Sequence, residues 1–187
     1  MTRSALIVID VQESFRHMPY WSETDLPGYL KKQQALIDGC VKAGVPVVQI
    51  FHTEEHGAFS IGSGQVRALE SLSINPDVTF HKRYHSALAG TPLAAWLVAQ
   101  GIGRLIISGI RTEQCCETTT RQASDSGFEV DYVSEATLTF AMTHARSGRV
   151  YTPQEIRERT ELVLEGRFAR IVSVAEAIGA LHDRAAA

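Results

Sequence analysis

The chain reads as an α/β protein, a single doubly wound three-layer α/β/α domain over residues 1–187 with a mainly parallel sheet. Three observations predict this. Short runs rich in Val, Ile and Leu recur along the chain as unbroken apolar segments, the form taken by strands buried on both faces. Segments of helical periodicity follow them, so strand and helix alternate from one end to the other. No linker-like stretch, internal repeat or low-complexity tract interrupts the pattern.

Each element has its own signal. Ala5 to Ile9 (ALIVI) is the first strand. A helical stretch from about Tyr29 to Ala43 ends at Gly44, and Pro46 prevents its continuation. Val45 to Phe51 (VPVVQIF) is the second strand, and the polar, Gly-bearing segment from His52 to Gly64 is long enough to be a site loop. Val78 to Phe80 is a short strand. Thr91 caps a helix whose first position is Pro92 and whose apolar stripe is Leu93, Trp96 and Leu97. Arg104 to Ile110 is the next buried strand, followed by a polar helix from about Thr112 to Ser126, stopped by Gly127. Val130 to Val133 is a further strand. Thr152-Pro153-Gln154-Glu155 forms a capping box for a helix ending near Gly166, Ala169 to Val172 is the last strand, and Ser173 with Glu176 caps the terminal helix.

Bulk properties narrow the function classes. A net charge of −3 gives no reason to expect nucleic acid or an anionic membrane as partner. No apolar run approaches the ~20 residues needed to span a bilayer. MTRSALIVID runs into a strand with no small-residue cleavage site behind a signal core, so the cytoplasm is the expected compartment. Three cysteines, two of them adjacent, suit free thiols under reducing conditions better than a disulfide framework.

Ligands of open α/β sheets bind beyond the carboxyl ends of the strands. Asp10 sits there after ALIVI, and so does the Gly109-Ile110-Arg111-Thr112 turn after RLIIS. Cys115 falls in the first turn of the next helix, where free N–H groups and the helix dipole are expected to lower its pKa and to stabilise an oxyanion. Asp10 is placed to take the thiol proton, and Lys82, in HKRYHSAL, to sit beside both as a cation. Singly these residues have ordinary readings: a cysteine near a helix start is more often a packed small residue, as Cys40 is expected to be, and an Asp after a strand is a common cap. A strained Cys115–Cys116 disulfide is disfavoured by helical backbone, which leaves Cys116 to point into the core.

Together the residues resemble the isochorismatase-like cysteine hydrolases, the superfamily of nicotinamidases and N-carbamoylsarcosine amidohydrolases, over nearly the whole chain. ALIVIDVQESF resembles the first strand with its catalytic Asp, at Asp10. HKRYHSALAGTPL resembles the lysine motif, with Lys82 in the catalytic position and Ser86, Gly90 and Thr91 matching. GIRTEQCCETTTRQASDSGFEV resembles the nucleophile motif, with Gly109, Thr112, Cys115, Thr119, Ala123 and Gly127 in register, which selects Cys115 over Cys116. The resemblance implies a cis peptide at Ile110-Arg111, an oxyanion hole from the Arg111 and Cys115 N–H groups, and a homo-oligomer, dimer or tetramer.

One departure bears on metal. Nicotinamidases carry an Asp-x-His metal motif ahead of a His-Gly-x-Phe stretch, whereas IFHTEEHGAF has Ile50 in place of the Asp. His52, Glu54, Glu55 and His56 therefore read as a substrate-facing loop; no metal and no cofactor are expected. The presence of Cys115 favours amide-type chemistry over vinyl-ether hydrolysis. The expected activity is hydrolysis of an amide, ureido or hydrazide bond in a small-molecule substrate through a thioester. The expected pocket walls are Gln12, Phe15, Tyr20, Trp21, His52, Phe59, Ile110 and Arg111, the Arg111 side chain being a candidate for a substrate carboxylate. The rivals are an ether hydrolase on this fold and a non-catalytic binding protein. An Asp10-centred phosphatase is weak, because VIDVQ lacks the second Asp of such Mg²⁺ sites.

Overall fold

A computed structural model describes residues 3–185; the terminal residues of the 1–187 expectation lie outside the described residues. In chain order the elements are β1 (Arg3–Ile9), α1 (Leu26–Lys42), β2 (Val47–His52), β3 (Val78–Lys82), α2 (Leu93–Ala99), β4 (Ile102–Ile110), α3 (Glu117–Asp125), β5 (Glu129–Leu138), β6 (Met142–Thr143), β7 (Val150–Tyr151), α4 (Pro153–Leu164), β8 (Arg170–Val172) and α5 (Val174–Ala185). The six-stranded sheet has the order β3-β2-β1-β4-β5-β8. Every pairing in it is parallel. The three-layer α/β/α expectation holds.

The chain winds outward from β1 to β2 and β3, then returns to lay β4 on the other side of β1. The seam between β1 and β4 is therefore where the winding reverses, the place at which such sheets leave a crevice beyond their carboxyl ends. Register brings the site residues to one height there: Ile9 pairs with both Ile50 and Gly109, so Asp10 and Ile110 leave the sheet side by side.

Because β1 is covered on both faces, its residues divide strictly by parity. Leu6 and Val8 pack with Leu36, Ile37 and Cys40 of α1 and with Ala177 and Leu181 of α5. Ala5, Ile7 and Ile9 pack with Leu93 and Leu97 of α2 and Ala123 of α3. All five β1 residues are fully buried, and each large one contributes about 1.5–3 kcal/mol relative to exposure.

Several boundaries differ from those read in the sequence, each for a local reason. Helix α1 starts at Leu26, since Pro27 in the first turn loses no hydrogen bond. Strand β3 continues two residues past Phe80 and so carries Lys82 into the sheet. Strand β5 extends to Leu138, its polar Ser134 and Thr137 interrupting the apolar run while a register shift against β4 accommodates them. Pro92 stands at the cap position of α2, with Thr91 Oγ1 accepting from Leu93 N–H at 3.3 Å. Thr112–Cys116 is a π-helical turn, and α3 proper starts at Glu117. The β6–β7 hairpin has two-residue strands, too short to leave a pattern. Both capping boxes form as read. Among the described residues no helix is long and apolar enough to cross a membrane.

Gly109 is where the seam is tightest. Its φ is +131°, and a Cβ placed on it would lie 2.0 Å from the Ile9 carbonyl oxygen, a backbone atom that cannot swing aside. Gly109→Ala is expected to destabilise the fold by about 3 kcal/mol or more, through strain and overpacking together. Denaturant midpoints of the two proteins check this; an unchanged midpoint would contradict the packing described.

Candidate active site

Asp10 is the first residue beyond β1, with φ +54°, a left-handed conformation that Asp tolerates better than most residues. Its N–H donates to Ile50 O at 2.9 Å, which turns the side chain inward. That side chain is fully buried, and a carboxylate survives such burial only with a partner. The partner is Lys82, also buried, whose Nζ lies 2.7 Å from Asp10 Oδ2.

Lys82 ends β3, two strands away from β1. At about 4.8 Å per strand its stem must cross β2, a span of roughly 10 Å that only a long side chain covers. The backbone is anchored by Thr53, whose N–H and Oγ1 both donate to Lys82 O, at 2.8 and 3.2 Å. His52 is paired with Lys82 in the β2–β3 register, and its Nδ1 is 3.4 Å from Nζ. Cys115 Sγ is also 3.4 Å from Nζ. An ammonium has three N–H donors and no acceptor; here it pairs ionically with Asp10 and contacts His52 and Cys115.

The contact with a donor-only ammonium favours one His52 tautomer. Nδ1 accepts in that contact, which assigns the ring proton to Nε2, 3.5 Å from Glu54 Oε1. Burial first, and then the Lys82 charge, hold the imidazole below its ordinary pKa. For Lys82, burial pulls the pKa down, but Asp10 and Cys115 outweigh it and the ammonium is held above its ordinary value.

Gln12 clamps the His52 backbone from both sides. Its Oε1 accepts from His52 N–H at 2.8 Å and its Nε2 donates to His52 O at 3.1 Å and to Ser14 Oγ at 2.9 Å. Both amide protons are thus spent inside the protein, which corrects the expectation that Gln12 contacts a ligand. Ile110 is fully buried, in the core layer beneath α1.

Cys115 projects from the π-helical turn. Thr119 Oγ1 donates to Cys115 O at 2.6 Å and accepts from Ala87 N–H at 3.0 Å, tying the nucleophile turn to the segment after β3. Tyr132 OH donates to Thr112 O at 2.9 Å from below. The Cys116 N–H is taken by Arg111 O at 3.2 Å, and Cys116 itself is fully buried. The Ile110–Arg111 peptide is cis. Cys40 is buried within α1.

The lowered Cys115 pKa expected from the helix start is not found. Burial, and next the Asp10 charge, push the thiol well up, and Lys82 offsets them only in part. Cys115 therefore rests as a neutral thiol. His85 Nδ1 also reaches Sγ, at 3.8 Å, a neighbour that sequence reasoning passed over.

The remaining candidates fall into two aromatic groups. Phe15 meets Phe59 edge-on at 5.1 Å, and Phe59 meets His52 edge-on at 5.6 Å. Tyr20 and Trp21 both pack on Phe140, at 5.4 and 5.3 Å. The Arg111 guanidinium lies over Tyr20 at 4.7 Å. Its Nη2 is paired with Glu113 Oε1 at 2.8 Å, and Thr139 Oγ1 donates to Glu113 Oε2. Burial raises the Tyr20 pKa, with Arg111 pulling the other way. Glu55 faces Arg83 at 3.8 Å. Among the described residues no three His, Cys, Asp or Glu side chains converge as a metal-binding set.

The chain belongs to the isochorismatase family, whose domain matches residues 4–149. It is 29% identical to Nicotinamidase 3 of Arabidopsis thaliana over 90% of this chain and 84% of that protein. It is 26% identical to the isochorismatase family protein YrdC of Bacillus subtilis over 94% of this chain and 95% of that one. A solved structure from Burkholderia xenovorans LB400, classed as an isochorismatase, superposes with a TM-score of 0.87 at 31% identity, covering 97% of this chain and 88% of its own. The fold is also that of a cysteine hydrolase from Pseudomonas syringae, with a TM-score of 0.88 at 21% identity, covering 97% and 93% of the two chains. The protein is thus a hydrolase of the isochorismatase family.

Two measurements test the electrostatics. Lys82→Met leaves the buried Asp10 charge unpaired and is expected to cost about 3–5 kcal/mol of stability. Adding Asp10→Asn removes that charge and should restore most of the loss in denaturant unfolding. The raised thiol pKa makes a second prediction: Cys115 alkylation by iodoacetamide, followed by peptide mass spectrometry, continues to accelerate above pH 9. A rate that levels off near neutrality would show a thiolate at rest.

Proposed function

We propose that this chain is a cysteine-dependent amidohydrolase that cleaves an amide, ureido or hydrazide bond of a small molecule through a thioester on Cys115. The observation that carries the reading is the buried Lys82 ammonium held between Asp10 Oδ2 at 2.7 Å and Cys115 Sγ at 3.4 Å. A base, a cation and a thiol in one enclosed cluster are what covalent acyl transfer requires. The similarity to a protein named as a nicotinamidase, itself an amide hydrolase by name, supports the bond class.

With a neutral thiol at rest, proton transfer and attack are coupled. Asp10 takes the Cys115 proton as Sγ attacks the carbonyl carbon, and Lys82 compensates the charge passing between them. The Arg111 and Cys115 N–H groups are assigned to the developing oxyanion. The nitrogen leaves with the proton from Asp10, and water then hydrolyses the thioester, regenerating the thiol.

Charge complementarity bears on the substrate. Arg111 already has Glu113 as its counter-ion, and Lys82 has Asp10. Neither cation is free for a substrate carboxylate, which favours a neutral acyl group lying against the aromatic walls of Tyr20, Trp21, Phe15 and Phe59.

A screen for ammonia release from neutral primary amides and ureido compounds, and for hydrazine release from neutral hydrazides, tests the proposal. Turnover is expected in the parent protein and in Cys116→Ala, with at least about a thousandfold loss of kcat in Cys115→Ala. Activity surviving in Cys115→Ala but lost in Cys116→Ala would overturn the assignment. Ketone release with neither ammonia nor hydrazine would instead mark vinyl-ether hydrolysis.

A further inference from the structure

The nucleophile has two polar sides of different character. On the inner side stand Lys82 and Asp10, both buried. On the outer side stands His85, an exposed residue between β3 and α2, with Nδ1 at 3.8 Å from Sγ. The two halves of a thioester cycle need different things from these sides. Acylation moves a proton from sulfur to the leaving nitrogen and needs no solvent. Deacylation needs a water molecule, which must come from outside, and a base that can reach it.

Asp10 is fully buried with one oxygen on Lys82 and has no direct contact with solvent. His52 is no better placed, because its Nδ1 lone pair is committed to Lys82. His85 meets both requirements. The carbonyl carbon of a thioester is bonded directly to Sγ, so a nitrogen 3.8 Å from Sγ lies one water molecule from the carbon under attack.

We propose that His85 is the catalytic base of deacylation, a role distinct from that of Asp10 in acylation and resting on the thioester reading given above. With its own proton on Nε2, His85 Nδ1 takes a proton from the water. The water oxygen bonds to the acyl carbon, the C–S bond breaks, and the imidazolium returns the proton to Sγ. One O–H and one C–S bond are exchanged for one C–O and one S–H bond; the acid leaves and the thiol and neutral imidazole are restored. The cycle thus uses two bases, one buried and one exposed, around one sulfur.

The test separates the two half-reactions with p-nitrophenyl acetate, whose nitrophenolate release reports acylation and whose steady rate reports deacylation. In His85→Gln the initial burst should persist at the parent rate and amplitude. The steady rate should fall tenfold or more, with an acetyl adduct on Cys115 visible by intact-protein and peptide mass spectrometry. Hydroxylamine, which attacks a thioester without a base, should restore turnover in the variant. Equal steady rates in parent and variant, or a burst slowed as much as the steady rate, would overturn the role of His85. Failure of the parent protein to form any adduct on Cys115 would overturn the thioester reading itself, and this inference with it.

Discussion

The buried pair of Asp10 and Lys82 constrains everything around it. Neither charge could occupy that depth alone, because an isolated ion in the interior loses its hydration with nothing in return. Together they form a contact of 2.7 Å closed to solvent on both sides. The pair exists only if β1, β2 and β3 lie side by side in register, since the lysine must cross over β2 to reach the aspartate. Gln12, Thr53 and His52 serve that crossing: they hold the backbone and the ring over which the lysine stem passes. The polar residues that follow Asp10 are therefore scaffolding for an ion pair before they are anything else.

The same pair governs the state of the thiol. A cation beside sulfur would by itself favour the thiolate, but its charge is shared with an aspartate that opposes ionisation, and burial adds to the opposition. The resulting nucleophile is latent, and its proton departs only when a carbonyl is there to receive the electron pair. A thiol held in this way is expected to react slowly with alkylating and oxidising agents in the absence of substrate, because both reactions proceed through the thiolate.

How much of this could be read in the sequence depended on whether the signal was local. The unbroken run ALIVI marked a buried strand, and Asp10 at its end marked the rim. The capping boxes at Thr152 and Ser173 are contained in four residues each and were legible for that reason. Lys82 was identified through its motif, whereas the strand carrying it was read two residues short because its exposed positions broke the apolar run. A five-residue π turn leaves no periodicity to detect. The direction of the Cys115 shift was misjudged because a helix start can be seen in a sequence and its depth of burial cannot. Gln12 looked like a ligand contact, and only the His52 backbone, forty residues away, shows where its amide is used. His85 had a signal of sorts, a second histidine in HKRYHSAL, but nothing local distinguished it from exposed His81.

The crossing of Lys82 over β2 carries an implication for how the molecule comes into being. The three groups around that ammonium come from strand ends or turns that are remote in the chain, Lys82 and Cys115 alone being 33 residues apart. None of their contacts is made within a single βα unit. A chain that has formed its helices, or even paired β1 with β2, still holds a lysine and an aspartate in water and an ordinary cysteine. Loop-closure entropy delays such distant pairings relative to local structure. The reactive cluster therefore exists only once β1, β2, β3 and the nucleophile turn have come together, and a partly folded chain carries no assembled chemistry.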